Sequence, residues 1–405
     1  MKKIVVSIWL VVFQVLFLFT GCGITGKTVG TTSSEITGVV PQSRNLAQRE
    51  SESIYLKVNT QNKGLSSLYK NNFKVGVALP QNLVKKSSGM TDFIMQNFNS
   101  ITCENEMKPY AILDQAACRA NLRKTYRNPA VHFDSCKDAI TFARENGIQI
   151  RLHTLVWYSQ TPDWFFTEDY TDGGRLASRE VMLARMENYI KNVLTYFNQN
   201  YPGLIYAVDV CNEAFDVGKG DKNGIRRVEN KWYDTVGDDY YYQAFVFARK
   251  YASRDMKLFY NDYGCMFKTD LILRHLQRAK REGLIDGIGM QAHLSIADDI
   301  HNKFIGSVKR FCEAGYEIQI TELDIGMKQK TDYNLARQGS KYKVLFRDLK
   351  ALKERGYNIT SVTVWGLNDG HTWRKGEYPL LFDEWNRPKP AYYGAMLSEH
   401  IPAVE

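Results

Sequence analysis

The sequence predicts a single (β/α)8 TIM barrel with its chemistry at the C-terminal ends of the strands. Three observations predict it. Eight short Val/Ile-rich runs alternate with amphipathic segments, and the runs are continuous rather than alternating, as befits parallel strands buried on both faces. Several helical segments stop at a glycine, namely Gly147, Gly283, Gly315 and Gly356, the residue that most easily takes a left-handed C-cap. Polar or Trp side chains follow nearly every apolar run, where a barrel of this kind carries its active site. A doubly wound open sheet is the alternative, but no G-x-G-x-x-G follows the first strand.

Taken in order, the folded pattern begins with a helix over Ser53–Tyr69 that breaks at Gly64. Strand Phe73–Leu79 and helix Thr91–Phe98 come next, then strand Ser100–Glu104 and a long loop. Helix Asp134–Asn146 leads to strand Gln149–Trp157, and helix Arg179–Gln199 is stopped by Pro202 and Gly203 before strand Leu204–Cys211. Helix Tyr240–Ser253, strand Lys257–Asn261, helix Leu271–Glu282 and strand Gly287–His293 follow. Helix Ile300–Ala314, strand Glu317–Thr321, helix Asn334–Arg355 and strand Thr360–Trp365 come last, with a short closing helix from Ala391. Residues 51–405 are thereby consumed by one barrel and its loops, and no second folded domain is needed.

The N-terminus reads differently. Lys2 and Lys3 form a basic region, Ile4 to Phe19 is almost wholly apolar, and Thr20-Gly21-Cys22 follows. The stretch is short and sits at the start of the chain, so residues 1–22 are expected to be a signal peptide. Thr-Gly-Cys resembles the bacterial lipoprotein cleavage box, which implies a lipid on Cys22 and a protein exported and tethered to the outer face of a membrane. Phe19 stands where that box usually has Leu, and a plain secretory signal or an uncleaved anchor are the other readings. Residues 23–50, rich in Gly, Thr, Ser and Gln, have linker composition.

Formal net charge is +9. Loss of residues 1–21 removes two lysines and no acids, leaving +7. The cations are scattered without a basic run, so nucleic acid is not expected as a partner, and an acidic polysaccharide is mildly favoured. The 24 Tyr and 7 Trp suit a surface that stacks flat ligands. Beyond Cys22 lie Cys103, Cys118, Cys136, Cys211, Cys265 and Cys312, with no CxxC pair and no Cys/His cluster. No metal or cofactor is therefore expected, disulfide pairing cannot be read from spacing, and a monomer is expected.

The strand ends supply the chemistry. One apolar run ends in Asn212-Glu213, and a second delivers Glu322 and Asp324. The others present Glu104-Asn105-Glu106-Met107-Lys108, His153 with Trp157 and Gln160, Asn261-Asp262-Tyr263, Gln291 with His293, and Trp365 followed by Asn368 to Trp373. Polarity after one strand is ordinary loop composition; at seven it is a site. Two carboxyls among amides, His and Trp suit glycoside hydrolysis, which needs one protonated carboxyl to donate to the leaving oxygen and one ionised partner. Asn212 can then reach a sugar 2-hydroxyl, and His293 with Asp324 can hold Glu322 ionised. Trp365 and Trp373 can form apolar walls that raise the acid's pKa and stack on pyranose faces.

From about Phe73 to Tyr392 the chain resembles glycoside hydrolase family 10, the retaining endo-1,4-β-xylanases. The resemblance is carried by Glu104-Asn105-Glu106-Met107-Lys108-Pro109, Arg151-Leu152-His153-Thr154-Leu155-Val156-Trp157, Asp209-Val210-Cys211-Asn212-Glu213-Ala214, Gly289-Met290-Gln291-Ala292-His293, Thr321-Glu322-Leu323-Asp324 and Trp365-Gly366-Leu367. It implies xylan and xylo-oligosaccharides as substrates, Glu213 as acid/base and Glu322 as nucleophile. It further implies that His153, Asn212, Gln291 and His293 surround the reacting sugar. Glu104, Asn105, Lys108, Trp157, Gln160, Trp365 and Trp373 would line the non-reducing side, with Tyr263 flanking the acid/base. Two positions depart from the family pattern: Tyr158 stands where a His is usual, and Gly264 where an Asn is usual. They put fine contacts around the cleft in doubt, not the reaction. The loop Gly218–Asn230 is expected to tune substrate preference. A β-1,4- or mixed-linkage glucanase on a related barrel is the enzymatic alternative, and a sugar-binding lipoprotein without catalysis is the other; an esterase is not supported, because no G-x-S-x-G elbow occurs.

Overall fold

In the computed structural model, residues 64–401 are described. The expected signal peptide, the linker and the opening part of the first helix lie outside them. Eight long strands form the barrel: β1 Lys74–Leu79, β2 Ser100–Cys103, β3 Gln149–Leu152, β4 Ile205–Asn212, β5 Lys257–Asp262, β6 Gly287–Met290, β7 Glu317–Gly326 and β8 Ile359–Val364. All neighbours pair in parallel, and β8 pairs with both β7 and β1, so the ring is closed. Two short segments, Val156–Trp157 against β4 and His293–Ser295 against β7, extend it at the C-terminal rim. A helix follows each strand: α1 Thr91–Asn97, α2 Lys137–Glu145, α3 Arg179–Asn200, α4 Tyr240–Tyr251, α5 Cys265–Arg281, α6 Ile305–Glu313, α7 Asp332–Glu354 and α8 Pro390–Ala395.

The strands are buried through almost their whole length, as the Val/Ile runs require. The helices turn one apolar face inward; α3 buries Val181, Met186, Ile190, Val193 and Phe197 at helical spacing, capped by the Ser178 hydroxyl on the Val181 N–H. Inside the barrel the filling is partly ionic. Fully buried Arg151 donates from Nε to Gln319 Oε1 at 2.9 Å and pairs with the Asp209 carboxylate. Gly289 makes room for this layer: a Cβ there would come within 2.4 Å of Asn261 Oδ1 and 3.0 Å of Arg151 Nη2.

Four of the element boundaries that differ from expectation bear on the site. The expected strand Gln149–Trp157 is interrupted, with a cis peptide between His153 and Thr154. The expected strand Gly287–His293 is broken by Ala292 at φ +63°. Helix α5 begins at Cys265 rather than Leu271, because Gly264 at φ +57° supplies the left-handed turn that starts it. Strand β7 continues past Thr321 to Gly326, carrying Glu322 and Asp324 within the strand.

Register explains how. Along β7, Ile320 faces Val362 while Leu323 faces Val364, so one extra residue is inserted at Thr321–Glu322. Along β4, Asp209 faces Phe259 while Cys211 faces Tyr260, a second inserted residue. Such bulges shift the two-residue period and re-aim the side chains that follow.

The six described cysteines are free thiols, all but half-buried Cys312 being buried. They act here as small apolar residues.

Candidate active site

The C-terminal rim encloses a cleft of about 1010 Å³. Every residue given a catalytic or sugar-binding role from the sequence lines it except Asp324, which lies fully buried behind His293. Strand β4 ends at Asn212, and Glu213 turns out of the strand at φ +57°, a left-handed conformation that costs a non-glycine residue on the order of 1–2 kcal/mol. Its backbone is held by donation to Asn261 O at 2.9 Å and by Arg226 Nε on its carbonyl at 3.2 Å. The Glu213 carboxyl takes Gln291 Nε2 at 2.9 Å and Asn212 Nδ2 at 3.3 Å on one oxygen, and Trp157 Nε1 at 3.2 Å on the other.

Glu322 is organised for the opposite task. Asn261 Nδ2 donates to its Oε1 at 2.7 Å, and His293 Nε2 lies 3.2 Å from its Oε2. The other His293 nitrogen, Nδ1, lies 2.9 Å from Asp324 Oδ2. An imidazole with a carboxylate at each nitrogen must donate from both, so His293 is an imidazolium. Burial works against that charge, but the Asp324 and Glu322 carboxylates override it and raise His293 from 6.5 to about 10. Burial likewise opposes ionisation of Glu322, yet His153, His293 and Asn261 together bring it from 4.5 to about 2. Glu322 is therefore ionised across any ordinary pH. Asp324 is in turn fixed by Trp373 Nε1 at 3.0 Å and Arg374 Nη1 at 2.5 Å.

One residue ties the main chain of Glu322 to the carboxyl of Glu213. Gln291 accepts the Glu322 N–H at its carbonyl, 2.9 Å, while its side chain donates to Glu213. Asn261 does the same between Glu322 and Asn212 Oδ1, the latter at 2.9 Å.

The remaining expected residues gather along the cleft. Lys108 Nζ donates to Asn105 Oδ1 at 3.0 Å and lies 5.2 Å from the Trp157 ring. Burial lowers its pKa against the pull of Glu322 and Glu104, and burial raises Glu104 against that of Lys108. His153 is buried, with Nδ1 2.9 Å from Asp209 Oδ2. The tryptophans are distributed otherwise than expected. The indole found on Glu213 is that of Trp157, whereas Trp365 meets His153 and His293 edge-on and Trp373 packs on His293. Strand β8 closes the ring beside β7, so its tryptophan falls on the Glu322 side.

Five residues to which the sequence reading gives no role support the site: Arg151, Asp209, Asn261, Arg226 and Arg374. The signal for the first two was present, since an Arg and an Asp inside apolar strand runs are tolerated only as partners. Arg226 comes from the loop expected to tune substrate preference, yet it is 1% exposed. Besides Glu213 O it binds Asp216 Oδ2 at 2.6 Å and the Tyr263 hydroxyl at 2.7 Å, and its guanidinium lies 4.1 Å over the Tyr158 ring. Tyr158, one of the two departures, thus fills the space behind Glu213; burial and the neighbouring Glu213 charge push its phenol up to about 12. Among the described residues no group of three or more His, Cys, Asp or Glu side chains is arranged to hold a metal ion.

A parallel eight-stranded barrel with two carboxyls at its rim, one locked as an anion and one bound by amide and indole donors, defines the glycoside hydrolase class. The chain matches the sequence profile of Glycosyl hydrolase family 10 over residues 64–397. It is 39% identical over 342 residues to endo-1,4-beta-xylanase B of Butyrivibrio fibrisolvens, covering 82% of this chain and 52% of that protein. It is 40% identical over 354 residues to endo-1,4-beta-xylanase A of Thermotoga maritima, covering 84% of this chain and 31% of that one. The chain thus spans about half or less of these curated relatives. Among solved structures, the carbohydrate-binding and catalytic modules of Clostridium thermocellum endo-1,4-beta-D-xylanase 10B with xylohexaose superpose with a TM-score of 0.76 at 35% identity, covering 84% of this chain and 68% of that one. A mutant of the intracellular xylanase of Thermoanaerobacterium saccharolyticum, bound to xylotriose, gives 0.73 at 34% identity, covering 83% of this chain and 98% of that one. The chain belongs to glycosyl hydrolase family 10.

Proposed function

We propose that this chain hydrolyses internal β-1,4-xylosidic bonds in xylan, with retention at the anomeric carbon. The observation that carries the reading is the Gln291 bridge, which keeps an anionic Glu322 and a hydrogen-bonded Glu213 one residue apart on opposite walls of the cleft. Glu322 attacks the anomeric carbon while Glu213 gives its proton to the departing glycosidic oxygen; Glu213 then takes a proton from water, which hydrolyses the glycosyl-enzyme. Asn212, held by Asn261, is the residue assigned to hydrogen-bond the sugar 2-hydroxyl, a contact that strengthens as oxocarbenium character develops. The substrates named for the relatives support xylan as the polymer.

Digests of xylan and of a mixed-linkage β-glucan, followed by NMR from the first turnovers, test this. The expected result is xylan cleavage with the β-anomer appearing first. Initial α-product, or faster cleavage of the glucan, overturns it. Glu322→Ala should lose turnover by several orders of magnitude yet still bind xylan; wild-type activity in that variant would remove Glu322 from the mechanism.

We propose further that the protein is exported and held on the outer face of a bacterial membrane by a lipid on Cys22. The basic start, the apolar run and Thr20-Gly21-Cys22 support it. Mass spectrometry of the mature N-terminus should find lipidated Cys22; an N-terminus at Met1 or at an unlipidated residue overturns the anchor.

A further inference from the structure

The cleft does not end at its rim. Between α5 and the turn Ile300–Phe304 that leads into α6 runs a groove of about 740 Å³. Val217, Met266 and Phe267 line both this groove and the cleft, so one surface passes into the other. Val217 is 77% and Phe267 69% exposed, unusual for side chains of their size in a folded enzyme. Gly264 adjoins the passage: a Cβ there would sit in ordinary contact with Phe267 Cδ2, at 3.9 Å. This is the second departure from the family pattern.

The groove is also cationic. Lys303 Nζ lies 5.8 Å from the Phe267 ring centroid, with Lys309 on α6 and Arg274 on α5 along the same walls. Among the described residues neither lysine has an ion pair, whereas the two acids on the groove are engaged elsewhere, Asp270 with Arg310 and Glu313 with the Tyr357 hydroxyl. Its place along a bound polymer follows from its neighbours. Val217 comes four residues after Glu213, and Phe267 four after Tyr263, whose hydroxyl is bonded to Asp216. The groove therefore opens on the side of the proton donor, where the leaving part of the chain must lie.

We propose that this groove binds the leaving-group arm of the polysaccharide through its acidic side groups, a sugar face resting on Phe267 and Val217 and a uronate carboxylate meeting Lys303 and Lys309. The inference rests on the reading of the cleft given above and adds a preference for uronate-decorated xylan over the bare chain. A carboxylate between two unpaired ammonium groups gains charge-assisted hydrogen bonds, and the aromatic ring beside Lys303 adds attraction for both cation and sugar.

Three substrates separate the possibilities: glucuronoxylan, the same polymer with its carboxyls reduced to alcohols, and an aryl β-xylobioside, which has no sugar on the leaving-group side of the cleft. Lys303→Gln/Lys309→Gln should lower kcat/KM on glucuronoxylan by roughly three- to ten-fold, the scale of two exposed ion pairs. It should leave the reduced polymer and the xylobioside at wild-type rates. Phe267→Ala should slow both polymers. Affinity electrophoresis of the Glu322→Ala enzyme in each polymer reads binding without turnover, and stronger retardation by glucuronoxylan is expected. Equal retardation in the two polymers, or a double lysine variant that keeps the wild-type ratio between them, overturns the groove. An enzyme inert on the xylobioside and on both polymers overturns the cleft reading instead, and the electrophoresis still decides the groove.

Discussion

At the scale of single residues, the site turns on a histidine that cannot lose its proton without losing a partner. His293 stands between Asp324 and Glu322, and its charge is a main reason Glu322 sits at about 2. Replacing it by Asn should move the acid limb of the kcat/KM profile upward by roughly one pH unit or more. The stability effect has a defined window. Glu322, lowered from 4.5, favours the folded state above 4.5 and loses that contribution as pH falls toward 2. His293, raised from 6.5, favours it below 6.5 and loses it as pH rises through about 10. Denaturant midpoints of wild type and His293→Asn should therefore differ most between pH 4.5 and 6.5, and converge on both sides; a difference that is flat with pH would contradict the imidazolium.

Arg226 makes a different kind of contribution. It touches no reacting atom but fixes the carbonyl of Glu213 in a strained turn and orders Asp216 and Tyr263 beside it. Arg226→Met should slow substrates whose leaving group needs a proton by about ten- to a hundred-fold, a part of the roughly 10²–10⁴-fold that general acid catalysis contributes. A dinitrophenyl xylobioside, whose leaving group departs unaided, should be spared. Equal losses on both would reduce Arg226 to a structural residue. The sequence announced Glu213, Glu322 and His293 because each follows an apolar run. It could not announce Arg226, which sits in a Gly-, Lys- and Asn-rich loop and is defined only by where that loop folds back.

At the scale of elements, the two bulges account for what strand patterns could and could not reveal. An alternating strand would place Thr321 and Glu322 on opposite faces. The extra residue in β7 lets Thr321 Oγ1 donate to Asn261 Oδ1 at 2.6 Å while Glu322 accepts from the same side chain. The strands themselves were legible from their Val and Ile content, since burial on both faces dictates it. Their inserted residues were not, because a bulge is a relation between two strands. Beneath the bulges lies the Arg151–Asp209 pair, also in contact with His153. Arg151→Met would leave the buried Asp209 carboxylate without its guanidinium, with His153 as its remaining side-chain partner, and should destabilise the fold by about 3–5 kcal/mol. The double variant Arg151→Met/Asp209→Leu should recover part of that. A single variant as stable as wild type by urea unfolding would mean that the layer contributes nothing to folding.

At the scale of the whole molecule, eight strand-and-helix units repeat one solution, and the units differ at their rims. That division is why the fold was readable from periodicity alone and the cleft was not: the repeat is written in apolar spacing, the chemistry in single residues at loop starts. It also separates two kinds of damage. Substitutions within the rim, outside the charged cluster around His293, should change rates with little effect on the denaturant midpoint, whereas loss of a strand should unfold everything.

The closed ring carries a consequence for how the chain comes to be made. Lys74 of β1 pairs with Ser361 of β8, and the Tyr69 hydroxyl bonds to Ala395 O at 2.5 Å, so the first and last elements complete each other. A nascent chain emerging from the ribosome has no finished barrel until β8 and the segment after it have appeared. Until then β1 and β7 each offer an unpaired edge, the template on which other chains add. A chain truncated before Ile359 should accordingly collect in inclusion bodies rather than as a smaller soluble protein, and sedimentation of the lysate will tell. Synthesis must run past Val364 before any of the rim, Glu213 included, acquires its place.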